Sequence, residues 1–374
     1  MRTSAFLAVA IAGAFACTSG TPAVAAPNRE YADALCSETS PPVTINLGLF
    51  SKTPLLSVAE HEGYFAQENL TVNYTTVTGS VNQFQQLQSG VTDLIMTAAD
   101  NVANYHLNNS NALGSTLPVT AVAGTDGGYN LQLFATPGIS TVEDLRGKTL
   151  GVDAANSGFA YIAYDILAHH GLAAPTKDPS GNYASPDYKI AAIGGVGNRY
   201  FNMTQTQGRT RTVDATLLNQ GFDILGRDAG LTGLDDVRTV ATPYLSGVVA
   251  GLTPWLQIHR CDTVRFLRAL AGAARFTTDP ANAEAVIADI RADQPPFATA
   301  DYASSYYAVT VTPTIGQFRD LDVDQRPLFN VLDLRQKYSG FDQPQNVRLL
   351  STPAGGLYTN KYIRAAEVSA THRR

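Results

Sequence analysis

The chain is poor in cysteine, in charge and in long apolar runs. Three cysteines occur in 374 residues, and Cys17, Cys36 and Cys261 are too few and too scattered for a Cys-x-x-Cys zinc site or an iron–sulfur cluster. Charged residues make up only 16%, with 26 basic against 32 acidic. The resulting formal charge of −6 argues against a nucleic-acid protein held by bulk charge. Mean hydropathy is −0.06, and beyond the first residues no apolar run approaches the roughly 20 residues that span a bilayer. What is present is 44% hydrophobic residues with 31 Gly and 19 Pro, a folded and globular composition. At ~150 residues per domain the length predicts two domains.

The N-terminus reads as a targeting segment over residues 1–25. Arg2 supplies a thin positive region, Ala5 to Ala16 a short apolar core, and Ala23-Val24-Ala25 an A-x-A cleavage pattern. The protein is therefore expected to be exported, to a periplasm or the extracellular space. Cys17 opens a second reading, because Ala14-Phe15-Ala16-Cys17 resembles a lipoprotein box whose cysteine would be anchored to the membrane. After cleavage at Ala25 only Cys36 and Cys261 remain. An oxidising compartment permits a disulfide between them, the alternative being two unpaired thiols.

Strand and helix patterns alternate through the first two thirds. Val43 to Phe50 alternates apolar and polar residues, and Leu70 to Val77 is rich in β-branched and aromatic residues, so both read as strands. Pro54 opens a helix that Gly63 ends, and a helix from Ser80 stops at Gly90. Asp93 to Met96 is a short strand, Asp100 is placed to cap the next helix, and Val119 to Ala123 is another strand. Further strands are expected at Leu131 to Ala135, Thr149 to Val152, Tyr188 to Ile193 and Val213 to Leu218, with helices between them. This rhythm predicts an α/β fold with parallel sheets flanked by helices. After Trp255 the segments 262–275, 280–292, 299–308 and 314–337 all read as helical.

Enzyme motifs are fragmentary. Gly147-Lys148-Thr149 resembles the end of a phosphate loop, but Val142 stands where that loop needs Gly. Gly195-Val196-Gly197 lacks the third glycine of a dinucleotide fingerprint. His61-Glu62 has no second histidine at zinc-protease spacing, and no Gly-x-Ser-x-Gly elbow occurs. With no nucleophile and base in one constellation, no catalytic residue, metal ligand or cofactor is assigned.

Longer stretches carry a resemblance. Leu56 to Leu70, Gly90 to Tyr105, Gly124 to Leu133, Val142 to Gly158, Asp214 to Asp223 and Gly355-Gly356-Leu357-Tyr358 look like the solute-binding proteins of ABC importers, in the NMT1/THI5-like branch of sulfonate, nitrate and thiamine-precursor binders. The resemblance implies a two-lobed, type II periplasmic-binding-protein-like fold, each lobe a sheet flanked by helices, with a helical C-terminal segment. Lobe 1 would comprise 43–126 plus 248–360 and lobe 2 would be 127–247, with hinges expected in 124–130 and 242–251. It implies a monomer that captures a small organic solute, anionic or aromatic, with an ABC permease and ATPase as partners and no nucleic acid. Alternatives are an enzyme of the same fold, similar to the pyrimidine-forming thiamine-precursor synthase, and a binding protein that reports to a sensor.

In such folds ligands sit beyond the carboxyl ends of strands, at helix N-termini. That places Ser51, Thr53 and Ser80 as donors or caps, and Asp100 and Asn101 as a cap pair or cleft residues. Asp126 is a turn residue or a cleft acceptor, while Asn156 and Ser157 open a helix facing the cleft. Phe159 stacks on a ring or packs in the core, and Tyr129 and Trp255 wall the cleft or lie behind it. Arg199, a cation early in a helix where it is locally disfavoured, calls for an anionic partner. Asn219 follows a strand as a contact from the second lobe. Gln220-Gly221 departs from the Asn-Pro-Pro that family members often carry there.

Overall fold

The computed structural model describes Cys36 and residues 41–371. The expected export signal and Cys17 lie outside the described residues. The first unit runs β1 (Val43–Leu49), α1 (Pro54–His61), α2 (Tyr64–Gln67), β2 (Leu70–Thr76), α3 (Ser80–Ser89), β3 (Leu94–Ala98), α4 (Ala99–Leu107) and β4 (Val119–Asp126). Turn chemistry sets its boundaries. Pro54 sits in the first turn of α1, where its missing N–H has no helical partner to lose. Gly90 ends α3 in the left-handed region at φ 74°.

The second unit runs β5 (Gln132–Ala135), β6 (Thr149–Val152), α5 (Gly158–His169), a small hairpin of β7 (Thr176–Lys177) and β8 (Tyr183–Ala184), β9 (Lys189–Ala192), α6 (Val196–Thr204), β10 (Ala215–Leu218), α7 (Phe222–Asp228) and β11 (Thr232–Asp236). The chain then returns through β12 (Gly247–Leu252). It finishes with α8 (Thr253–Ile258), α9 (Arg260–Thr277), α10 (Ala283–Ala292), α11 (Tyr302–Thr310), α12 (Gln325–Lys337), α13 (Val347–Leu350) and α14 (Lys361–Thr371).

Two five-stranded sheets result, ordered β2-β1-β3-β12-β4 and β11-β5-β10-β6-β9. Both are mixed rather than purely parallel. β12 runs against β3 and β4, and β5 against β10 and β11. The remaining pairings are parallel. The crossings explain this. Chain 127–131 links the end of β4 directly to β5, and 237–246 links the end of β11 to β12. A strand entered without a crossover helix must run away from the seam that the previous strand ran toward. These crossings overlap the expected hinges at 124–130 and 242–251.

The helix expected over 314–337 exists only from Gln325. Thr314 and Leu321 take left-handed φ values of 71° and 55°, because this backbone covers β4, the outer strand of its sheet. Gly124 N–H donates to Leu321 O at 2.9 Å, Gly127 N–H to Gly316 O at 3.1 Å and Tyr129 N–H to Ile315 O at 2.7 Å. An edge that would otherwise be free to pair with another chain is thereby closed.

The C-terminal helices are not confined to the first unit. α9 packs on α1 and α14, but α11 rests on α7, and α12 lies against both α4 and α5. Cys36 and Cys261 form a disulfide with Cα atoms 5.0 Å apart, fastening the N-terminal tail to α9. Closing so long a loop contributes ~2–4 kcal/mol.

Candidate ligand-binding cleft

Parallel strands of both sheets end at the same seam, so the helices that follow them begin there. The N-cap residues are Thr53 for α1, Gly79 for α3, Ala98 for α4, Ser157 for α5 and Gly195 for α6. Of these five, only Ser157 caps with its side chain, accepting from the Ala160 N–H at 3.1 Å. First-turn N–H groups at the other four tips therefore point at the seam without a side-chain cap, and each helix adds partial positive charge.

A cavity of about 230 Å³ lies between the tips. Ser51, Thr53, Ser80, Asn101 and Asp126 line it from the first unit. Ser157, Phe159, Arg199 and Asn219 line it from the second. Nine of the thirteen residues singled out from the sequence thus meet at one space. Phe50, Val81 and Met96 add apolar wall. Among the described residues no histidine or cysteine lines it, no group of His, Cys, Asp and Glu could hold a metal ion, and no helix is long and apolar enough to cross a membrane.

The other four lie elsewhere. Asp100 is no cap: Ala98 holds that position, and Asp100 lies in the first turn of α4, 1% exposed. Arg335 of α12 grips it with Nε and Nη2, each 2.7 Å from a carboxylate oxygen. Tyr129 is fully buried at the first crossing and donates its hydroxyl to Gln317 Oε1 at 2.6 Å. Asn156 serves through its backbone, its carbonyl accepting from Arg335 Nη2 at 3.1 Å. Trp255, on α8, stacks on His259 and is not part of the wall.

Three residues of the cavity lining carry a buried polar atom without a hydrogen-bond partner. Arg199 is 1% exposed, yet its nearest carboxylate, Asp153, stands 3.5 Å from Nη1, and its Nε has no hydrogen-bond partner. Burial lowers the pKa of this guanidinium, with Asp153 opposing. Thr53 Oγ1 and Asn219 Oδ1 are also buried without partners. Each such group costs about 1–3 kcal/mol in a folded protein. On the first unit's side, burial pushes Asp126 up to about 6, although Thr125 and the Gly128 and Gly247 amides oppose the shift.

Sequence reasoning missed Asp153 and underused Gln220. Asp153 directly follows β6, three residues ahead of the expected pair Asn156 and Ser157. Gln220 lines the cavity in the left-handed region at φ 52°, where a non-glycine residue is strained. Its Oε1 accepts from Ser51 Oγ at 2.9 Å, joining the two units. The Gly195 N–H donates across the seam to Thr78 O at 3.2 Å. Gly158 lies so near Asp100 that an added Cβ would stand 2.5 Å from the Asp100 Cβ. The units therefore touch across the seam beside the cavity.

The NMT1/THI5 like family model matches residues 52–178. A comparison with curated protein sequences finds no match. Solved structures similar to the chain include a protein from Bordetella bronchiseptica RB50, at 17% identity and a TM-score of 0.64, covering 88% of this chain and 98% of that one. The periplasmic nitrate-binding protein NrtA from Synechocystis PCC 6803 is 9% identical, with a TM-score of 0.67 and coverage of 88% and 89%. The alkanesulfonate-binding protein SsuA from Xanthomonas axonopodis pv. citri is 13% identical, with a TM-score of 0.58 and coverage of 87% and 98%. At such identities the likeness speaks for the fold.

Proposed function

We propose that this chain, built on the two-lobed type II fold of periplasmic binding proteins and similar to the NMT1/THI5-like group over residues 52–178, is the solute-capturing component of an ABC importer. Lobe 1 is 43–126 with 248–360, and lobe 2 is 127–247. The protein acts outside the cytoplasm, in keeping with its export signal and with the disulfide between Cys36 and Cys261. It carries out no chemistry and hands its solute to a permease and ATPase.

The observation that carries this reading is the cavity between the helix tips of both units, with the buried cation Arg199 in its lining and only one carboxylate, Asp153, 3.5 Å from it. A cavity of ~150 Å³ accommodates benzene, so about 230 Å³ suits a solute of roughly nine or ten non-hydrogen atoms. Arg199 would hold its acidic group, helped by the helix tips. Because the solute touches both lobes only when they are shut, binding shifts an open–closed equilibrium toward the closed form.

A thermal-shift screen against a broad solute library tests this. A solute at ~100 times its Kd should add ~2.7 kcal/mol and raise the melting midpoint, and Arg199→Ala should abolish the rise. A chain that no solute stabilises, but that turns a substrate over, would refute the binding role.

A further inference from the structure

The loop from α10 to α11 reaches from one unit to the other behind the cavity. Its residues line none of that space, yet they touch the elements that do. At its near end Asp293 Oδ2 lies 2.8 Å from Lys52 Nζ and 3.1 Å from His61 Nε2, and Lys52 stands between the cavity residues Ser51 and Thr53. Further on, Phe297 stacks on Tyr200 at 6.3 Å between ring centroids and meets Phe201 edge-on at 5.8 Å. Both rings belong to α6, directly after Arg199. Thr299 Oγ1 donates to Asp228 Oδ2 at 2.8 Å, at the end of α7. Tyr302 packs on Gly221, next to Gln220, so closely that an added Cβ would stand 2.1 Å from the tyrosine hydroxyl. Between these attachments Pro295 and Pro296 hold φ at about −65°, so the loop transmits position rather than absorbing it.

The two attachments differ in strength. α10 lies along α1 with Val286 and Ile290 buried, and Asp293 is held there by charge. On the other side α11 meets α7 more narrowly, and Phe297 is 42% exposed. Tyr306 of α11 meets Tyr129 at the first crossing, 5.8 Å between ring centroids. One end of α11 is thus rooted where the units join, and the other carries the aromatic contact. We propose, resting on the solute-binding reading above, that the α10–α11 loop is a clasp: it stays with lobe 1, while Phe297, Thr299 and Tyr302 let go of α6 and α7 when the cleft opens. The clasp biases the solute-free protein toward its closed form and so sets how fast a solute enters and leaves.

The Gly195 amide reads the opening directly, because it donates to Thr78 O across the seam and exchanges with solvent only when that bond breaks. Hydrogen exchange of the solute-free protein compares the parent with the double variant Phe297→Ala, Thr299→Ala, whose exposed positions leave folding intact. Exchange at Gly195 should quicken roughly 10- to 100-fold, the range expected for losing a half-buried ring and one hydrogen bond. The Arg199 amide, bonded to Gly195 O inside α6, and the amides of β1 should keep their parent rates. Phe297→Tyr, which retains the ring, should stay within about threefold of the parent. The inference is overturned if Gly195 exchanges in the double variant as slowly as in the parent, if Arg199 or β1 quickens with it, or if Phe297→Tyr behaves like the double variant. None of these outcomes touches the capture role, since no solute is present; the solute screen decides that separately.

Discussion

Among the described residues two arginines, Arg335 and Arg199, are no more than 1% exposed, each beside an aspartate, and their surroundings differ in kind. Arg335 is 0% exposed; its Nε and Nη2 clasp both oxygens of Asp100, and its other contacts are Asn104 Oδ1, the Gly340 carbonyl and the Asn156 carbonyl. Its guanidinium also lies 5.4 Å from the Tyr161 ring centroid. Burial opposes the Arg335 charge, but Asp100 and its neighbours outweigh it and raise the pKa. Arg199 is as deeply buried, yet it has one distant carboxylate, an empty Nε and a lowered pKa. Burial alone therefore does not mark a functional cation. What sets Arg199 apart is spare hydrogen-bonding capacity in a residue that lines a cavity, which a guest would use in the proposed solute-binding role.

The largest effect should come from breaking the saturated pair. Arg335→Met leaves Asp100 buried and unpaired, and it removes the link from α12 to the Asn156 loop of the second lobe. A loss of about 3–5 kcal/mol is expected from such a truncation, read by chemical denaturation. Replacing both partners, Asp100→Leu with Arg335→Met, should recover much of it. A loss below about 1 kcal/mol for the single variant would mean the pair is no anchor.

Asp126 sharpens the contrast from the acidic side, since Asp100 has a cation clasping it and burial instead pushes Asp126 up to about 6. Between an unfolded value near 3.8 and about 6, the native state binds more protons than the unfolded state. This residue therefore makes stability fall as pH rises through that window and keeps it lower above pH 6, by about 3 kcal/mol in all. Asp126→Asn should remove this component. Melting curves from pH 4 to 7 would show a slope for the variant more positive than that of the parent; parallel slopes would contradict the assignment.

A smaller effect tests the contact between the lobes. Asp100, held by Arg335, stands where a side chain on Gly158 would go. Gly158→Ala should wedge the seam at a cost of about 1–2 kcal/mol, weakening solute binding about tenfold. Small-angle scattering should show a larger radius of gyration for the solute-bound variant than for the solute-bound parent. Equal affinity and equal radius would show that the seam can give way.

Much of the cleft was legible because it is made of turns. A strand followed by Ser51 to Thr53, by Gly79-Ser80 or by Ser157 declares a helix start locally, and helix starts are where this fold binds. The three residues that went elsewhere were claimed by distant partners. Asp100 is taken by Arg335 and Tyr129 by Gln317, pairings of 235 and 188 residues' separation that no local pattern encodes. Asn156 contributes a carbonyl, which every residue has. The mixed sheets escaped notice for a topological reason: β5 and β12 read as ordinary strands, and only the direct crossings reverse them. Segment 314–324 read as helix because its apolar spacing allowed it, but its backbone is spent on covering β4.

The most direct test of the central claim is Arg199→Met, measured as the melting midpoint with and without the best solute from the screen. If Arg199 is held in place for a guest, removing it should leave the solute-free midpoint unchanged or higher, since a poorly paired buried cation is lost, and should eliminate the solute-induced rise. A solute-free midpoint that drops as far as that of Arg335→Met, with the solute-induced rise intact, would contradict the account.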